Sequence, residues 1–122
     1  MLLCYVLGAY LGLGQSLPDD KRMFNKELAG QLEKIYTEDQ QHRQKLGDVE
    51  ARFGMESKEM KDLWKKINST DSVNLIKVTA ILDKFGWLGP DIVGAQGNET
   101  LFFVIQHADQ TTQEKYLPMM QA

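Results

Sequence analysis

Apolar residues recur mostly at intervals of three or four along the first charged stretch of the chain, and this spacing constrains the fold more than any other feature. It places them on one face of an α-helix. The stripe consists of Phe24, Leu28, Leu32, Ile35, Tyr36 and Leu46. We predict that this helix begins at the turn of residues 17–20, where Pro18 and two aspartates suit a helix start, and that it ends at Gly47.

Two more helices are predicted in the middle of the chain, after a connection at residues 48–55 that contains a short turn of helix. Ser57 can cap the second helix, whose apolar stripe comprises Met60, Leu63, Trp64 and Ile67. Residues 68–71 read Asn-Ser-Thr-Asp, a run of cap and turn formers, so we predict that the helix breaks there and that Asp71 caps a third one. The third helix would end at Gly86 and bury Val73, Ile76 and Ala80, with Leu75, Val78 and Leu82 as further candidates.

A run of five apolar residues at positions 101–105 decides between the fold classes. Periodicity cannot separate a buried strand from a buried helix in so short a run. The chain has no second run of this kind to pair with it, and a lone strand would leave its backbone groups unsatisfied. We therefore predict a buried helix that continues to Ala108, and a short last helix capped by Asp109 and interrupted at Pro118. The fold class is an all-α compact bundle of four to five helices, in one domain of residues 15–122.

Glycines mark two loops before this buried helix. Residues 86–90 read Gly-Trp-Leu-Gly-Pro and predict a tight loop that Trp87 anchors. Residues 94–97 predict a second, flexible stretch, after which Asn98 would cap the buried helix.

The apolar segment of residues 2–14 carries no charge. It is too short to span a bilayer but matches the hydrophobic region of a signal peptide, with small residues at Gly12 and Gly14 for cleavage. No Lys or Arg precedes it, so a first helix packed on the core is the alternative. We expect a periplasmic or secreted protein if the segment is cleaved, and a cytoplasmic one otherwise. Cys4 is the only cysteine, which excludes a disulfide within the chain.

The charge pattern argues against one class of partner. The net charge is -3, and Lys and Arg alternate with Asp and Glu instead of clustering on a basic face. That pattern is typical of solvated helices and not of a nucleic-acid surface. The sequence also contains no phosphate-binding loop, nucleophile elbow or dinucleotide fingerprint, so it names no cofactor.

Two polar residues interrupt the apolar stripe of the first helix. Continued by threes and fours, the stripe reaches Asp39 and His42, where apolar residues are expected. Arg43 lies one turn beyond Asp39 and can pair with it. Because a buried charge is costly unless paired, the pair forms either an inward polar site or a structural ion pair at the rim of the bundle.

Residues 106–109, Gln-His-Ala-Asp, follow the buried run directly. His107 is either a general base or a satisfied core histidine that favours the negative end of a helix. His107 and Asp109 alone are weak evidence for a metal site, and the sequence has no His-Glu-x-x-His or cysteine ligand set, so we predict no metal. Asn74 is unexpected one turn into the third helix, because Asn is a poor helix-interior residue.

The polar residues fall into an ordered set of motifs. They are Asp39-Gln40-x-x-Arg43, Asp71-x-x-Asn74, Gly86-Trp87 with Val93-Gly94, and Gln106-His107-Ala108-Asp109. In this order they resemble a bacterial family of small soluble or secreted proteins of unknown function. The resemblance covers residues 28–118. It implies no activity, but it implies that these polar positions are hallmarks of the family, and His42 is not among them.

The resemblance has one departure. Family members usually continue with a segment that holds an Asp-Arg pair and a Tyr-Gly-Thr-Gln motif, whereas this chain stops at Ala122. The expectation is a truncated product, a fragment or a short variant. If the missing segment completes the site, the protein would be inactive or dependent on a partner.

Three hypotheses follow. The first is a binding or interaction module with an inward polar site for a small molecule or a protein partner, without a membrane span in the mature chain. Its binding residues would be Gln40, Arg43, Asp71, Asn74, Trp87, Gln106 and Asp109. The second is a hydrolase-like enzyme in which His107 and Asp39 are catalytic and Arg43 orients the substrate. The third is a purely structural polar network.

Overall fold

The structure is a computed structural model that describes residues 23–121. Its helices are α1 (Lys26–Arg43), α2 (Leu46–Phe53), α3 (Lys58–Phe85), α4 (Pro90–Gln106), α5 (Gln110–Tyr116) and a terminal 3-10 helix (Leu117–Gln121). No strand occurs among these residues, so the all-α prediction is confirmed. The apolar segment 2–14 and the turn at 17–20 lie outside the described residues.

The first helix is shorter than predicted at both ends. It begins after Asn25, whose side chain accepts a hydrogen bond from the backbone of Leu28 and whose own N–H is bound by the carbonyl of Ile92. Phe24 therefore precedes the helix and is exposed. At the other end the chain turns after Arg43, and Gly47 lies inside α2 instead of ending a helix. The predicted connection at residues 48–55 contains more helix than the short turn expected there, because residues 48–53 belong to α2.

The predicted break at residues 68–71 was also wrong, because α3 runs without interruption for 28 residues. Cap formers mark a helix boundary when their side chains accept hydrogen bonds from free backbone N–H groups at the start of a helix. Here Asp71 binds a side chain of α1 instead, and Ser72 donates to the carbonyl of Asn68 within the helix. The predicted inward face of this region was wrong in part: Val73, Ile76 and Ala80 are exposed. The further candidates Val78 and Leu82 are buried, together with Asn74 and Ile81.

The buried helix predicted at residues 101–105 is confirmed, but α4 begins earlier and bends. Gly94 has φ of 81°, a backbone conformation that glycine adopts at little cost, and the chain kinks there. The predicted flexible stretch after it is helical. Asn98 does not cap a helix but donates its side-chain amide to the carbonyl of Leu88, which holds the preceding loop. The predicted caps Ser57 and Asp109 both accept hydrogen bonds at the helices that they begin.

The core forms where α1, α3 and α4 pack against one another. Its most buried apolar side chains are Leu32, Val78, Leu82, Leu101 and Ile105. α3 runs antiparallel to α1, since Arg43 contacts Asp71 and Glu38 lies 3.7 Å from Lys77. This packing brings the end of α1, the middle of α3 and the end of α4 together. Within residues 23–121, no helix combines the length and the apolar character needed to cross a membrane.

Candidate functional site

Polar side chains from α1, from α3 and from the residue after α4 line one pocket of about 110 Å³, which we call the polar pocket. Asp39 comes from α1, Asp71 and Asn74 come from α3, and His107 follows the last residue of α4. The remaining wall is formed by Ser72, Leu75, Val104 and Ala108. Helix packing brings Asp39, Asp71 and His107 together, because these three residues are far apart in the sequence.

Arg43 ties the two carboxylates of the polar pocket to each other. Its guanidinium donates one hydrogen bond of 3.0 Å to Asp39 and two of 2.8 Å to Asp71. The fork-shaped contact with Asp71 uses both carboxylate oxygens, the geometry that makes arginine pairs strong and directional. The hydrogen bonds to Asp71 raise the pKa of Arg43, and the charges of Asp71 and Asp39 add to this effect while burial opposes it. The guanidinium is therefore a permanent charge beside the two carboxylates of the polar pocket.

Asp39 is almost completely buried, as the interrupted stripe of α1 predicted. Burial on its own raises the pKa of the carboxyl group. The contact with His107, the charge of Arg43 and a 2.9 Å hydrogen bond from Gln40 together outweigh burial and leave the pKa of Asp39 lowered. Asp39 therefore remains ionised at neutral pH despite its position inside the bundle.

Asn74 is the unusual member of the set. Its side chain is buried, with only 1% of the residue exposed, and neither its amide nitrogen nor its oxygen has a hydrogen-bond partner within residues 23–121. A buried amide without partners costs about 1–3 kcal/mol. Both polar atoms are themselves enclosed, and Asn74 forms part of the wall of the polar pocket.

His107 is more accessible than the two carboxylates of the pocket, with 28% of its side chain exposed against 3% for Asp39 and 21% for Asp71. Its Nδ1 lies 3.4 Å from Oδ1 of Asp39, which is longer than an ordinary N–H···O hydrogen bond. One ligand-type atom from each of Asp39, Asp71 and His107 lies within 4.8 Å of the other two. These three residues are therefore the group in the described chain that could hold a metal ion.

The structure places the other candidate residues elsewhere. Gln106 is exposed, and its backbone carbonyl accepts a hydrogen bond from the side chain of Gln113. Asp109 is exposed and caps α5, and Trp87 packs against the hydrophobic core. Gln40 reaches the pocket only through its hydrogen bond to Asp39.

The residues of the polar pocket lie within a region that matches a known protein family. A model of a family of unknown function, DUF6624, matches residues 26–122. The chain belongs to DUF6624. The expectation of membership in a family of unknown function is thus confirmed, and the match includes every residue of the polar pocket. No curated protein and no solved structure matches the chain.

Sequence reasoning about this DUF6624 chain missed one relationship and three apolar neighbours. Asp71 was interpreted as a helix cap, whereas it binds Arg43 from the interior of α3. The signal that could have found it is the pair of Asp71 and Asn74, which lie three apart and so share one face of a continuous helix. The apolar wall of the pocket, which comprises Leu75, Val104 and Ala108, has no distinguishing sequence pattern.

Proposed function

We propose that the protein is a binding module whose ligand group enters the polar pocket. The observation that supports this proposal is the unpartnered side chain of Asn74 at the pocket wall. A purely structural network accounts for Arg43, Asp39 and Asp71, because these residues satisfy one another. It does not account for Asn74, whose side chain makes no hydrogen bond within residues 23–121 and so costs stability where it stands.

The walls of the pocket are held in place before a ligand arrives. Arg43 links α1 to α3, and Gln40 fixes the second oxygen of Asp39. A site whose side chains are already ordered loses less conformational entropy when it binds. The rigid network therefore holds the wall in which the unpartnered side chain of Asn74 and the more accessible His107 bind a ligand.

The size and chemistry of the pocket restrict the ligand group. A volume of about 110 Å³ admits a few non-hydrogen atoms and not a whole cofactor. Asn74 offers one acceptor and one type of donor, and the two carboxylates have lone pairs that Arg43 does not use. A group that carries a positive charge or several donors fits this wall better than an anion does.

The test uses the side-chain amide of Asn74 as its own reporter. In ¹⁵N-labelled protein, the resonance pair lost in Asn74→Leu identifies this amide. Methylammonium and acetamide at millimolar concentration should shift it, whereas acetate should not. Asn68→Leu is the matched control, because Asn68 is an exposed asparagine of the same helix. A resonance that no cation or donor moves, or that acetate moves equally, would contradict the proposal.

A hydrolase is the second candidate, and the contact of His107 with Asp39 favours it. Asp39 is placed to orient the imidazole, as the ionised carboxylate of a catalytic triad does. In such a reaction water adds to an electrophilic carbon or phosphorus, its proton passes to His107, and that proton then leaves with the departing group. Hydrolysis of nitrophenyl esters and phosphates should then be lost in His107→Ala and retained in His42→Ala. Equal rates in both variants would exclude this mechanism.

A further inference from the structure

His107 Nδ1 and Asp39 Oδ1 lie 3.4 Å apart in the polar pocket, and this distance bears on the class of ligand. It is long for a hydrogen bond. Two ligand atoms that are each about 2.1 Å from a tetrahedral metal ion lie about 3.4 Å apart, so the observed spacing suits a shared cation. Asp71 completes a triangle of donor atoms that all lie within 4.8 Å of one another.

We propose that the polar pocket binds a divalent transition-metal cation through Asp39, Asp71 and His107, with the side-chain oxygen of Asn74 as a fourth ligand. This inference rests on the proposed function, since it names the class of ligand for the same pocket. One imidazole nitrogen with carboxylate and amide oxygens favours Zn²⁺, Fe²⁺ or Mn²⁺ over Mg²⁺ or Ca²⁺, which are bound by oxygen alone.

Asn74 is the independent observation that points to a ligand. It is buried, lacks a partner in the described part of the chain, and lines the same pocket as the three other donors. Its oxygen is an uncharged ligand that a cation would satisfy. A cluster of two carboxylates and a histidine without this residue would be explained by the ion pairs alone.

Arg43 is compatible with a cation in the pocket. Each carboxylate oxygen has two lone pairs, and the hydrogen bonds of Arg43 use one on each oxygen of Asp71. The guanidinium then orients the metal-binding carboxylates, as residues behind metal ligands commonly do. Two carboxylates against one guanidinium also leave one negative charge in excess, which a cation offsets.

The ligand set explains why the sequence predicted no metal. The pair considered there was His107 with Asp109, which are two residues apart. In the structure Asp109 caps α5 and does not line the pocket. The donors that converge come from α1, α3 and the end of α4. No local spacing motif in the sequence could therefore have predicted the metal site.

The test is titration of chelator-treated protein with Zn²⁺, Mn²⁺ and Co²⁺ by calorimetry. We expect one ion per chain, and at least tenfold weaker binding for His107→Ala and for Asn74→Leu. His42→Ala is the matched control, because His42 is the only other histidine of the chain and does not line the polar pocket. Its affinity should equal that of the parent protein.

A spectroscopic measurement keeps the result independent of folding. The visible absorption of bound Co²⁺ should indicate one nitrogen and several oxygen ligands, and this spectrum should vanish in His107→Ala while circular dichroism stays unchanged. Absence of stoichiometric binding of all three ions, or equal affinity of His107→Ala and His42→Ala, would overturn the metal site.

Failure of the metal site and failure of the binding module give different results. If the Asn74 amide resonance responds to methylammonium or acetamide but no metal binds, the module stands and the metal inference is wrong. If neither small molecules nor metal ions move that resonance, both are wrong.

Discussion

Arg43 donates two parallel hydrogen bonds of 2.8 Å to Asp71, which lies 28 residues further along the sequence. The contact joins the last turn of α1 to the interior of α3. Each of the two side chains keeps about a fifth of its surface exposed, whereas Asp39, the other partner of Arg43, is almost fully enclosed. One cation therefore compensates a half-buried and a buried carboxylate at once.

Removal of Arg43 should destabilise the protein strongly. Arg43→Leu leaves Asp39 buried without its cation, and breaking such a pair costs about 3–5 kcal/mol. Arg43→Lys should lose less of the free energy of unfolding than Arg43→Leu but should not match the parent protein, because an ammonium group cannot form both parallel hydrogen bonds to Asp71. Urea denaturation measures both values. Arg52→Leu, which removes an exposed partner of Asp48, is the control and should change the unfolding free energy by less than about 1 kcal/mol.

Replacement of Asn74 should have the opposite sign. Asn74→Leu removes an unpartnered buried amide and places methyl groups against the apolar wall formed by Leu75 and Val104. We expect the free energy of unfolding to rise by about 1 kcal/mol in the absence of ligand. The same change at exposed Asn68 should have almost no effect. A loss of stability in Asn74→Leu would show that Asn74 has a structural role.

Acid should weaken the fold partly through Asp39. Its pKa is lowered, because the contact with His107, the charge of Arg43 and the hydrogen bond from Gln40 outweigh the opposing effect of burial. A carboxylate of this kind stabilises the fold above its unfolded pKa, and that contribution is lost as the pH falls through its folded pKa. The loss is therefore expected below about pH 4.

Denaturation curves at successively lower pH measure this effect. Asp39→Asn cannot ionise, so its stability should change less between neutral pH and pH values below about 4 than that of the parent protein. Parallel pH profiles for the two proteins would contradict an ionised, stabilising Asp39.

The kink of α4 should depend on its glycine. Gly94→Ala forces an L side chain into a positive φ of 81°, which costs about 1–2 kcal/mol. Space is not the obstacle, since the added carbon would meet only Phe24 at 3.7 Å. Gly30→Ala is the control: that glycine is exposed inside α1 with nothing near it, so alanine should stabilise by about 0.5–1 kcal/mol. Thermal unfolding of both variants tests the contrast in sign.

Local hydrogen bonds explain which helix boundaries were predictable. Ser57 and Asp109 bind backbone N–H groups three residues ahead, so their role depends only on adjacent sequence. Residues 68–71 are of the same cap-forming types, Asn, Ser, Thr and Asp, but no helix begins or ends there. Asp71 is satisfied by Arg43 from another helix, and local propensity contains no information about that partner.

The sequence by itself determined the helical class, because apolar spacing along α1 and the unpaired run at 101–105 leave no sheet to form. It also determined that Asp39 would lie inside with Arg43 beside it, since one helical turn separates them. Only the tertiary structure decided that α3 is continuous and that Asp71, Asn74 and His107 meet Asp39 in one pocket. The physical reason is that convergence depends on the packing of three helices, and packing is set by contacts between residues far apart in the chain.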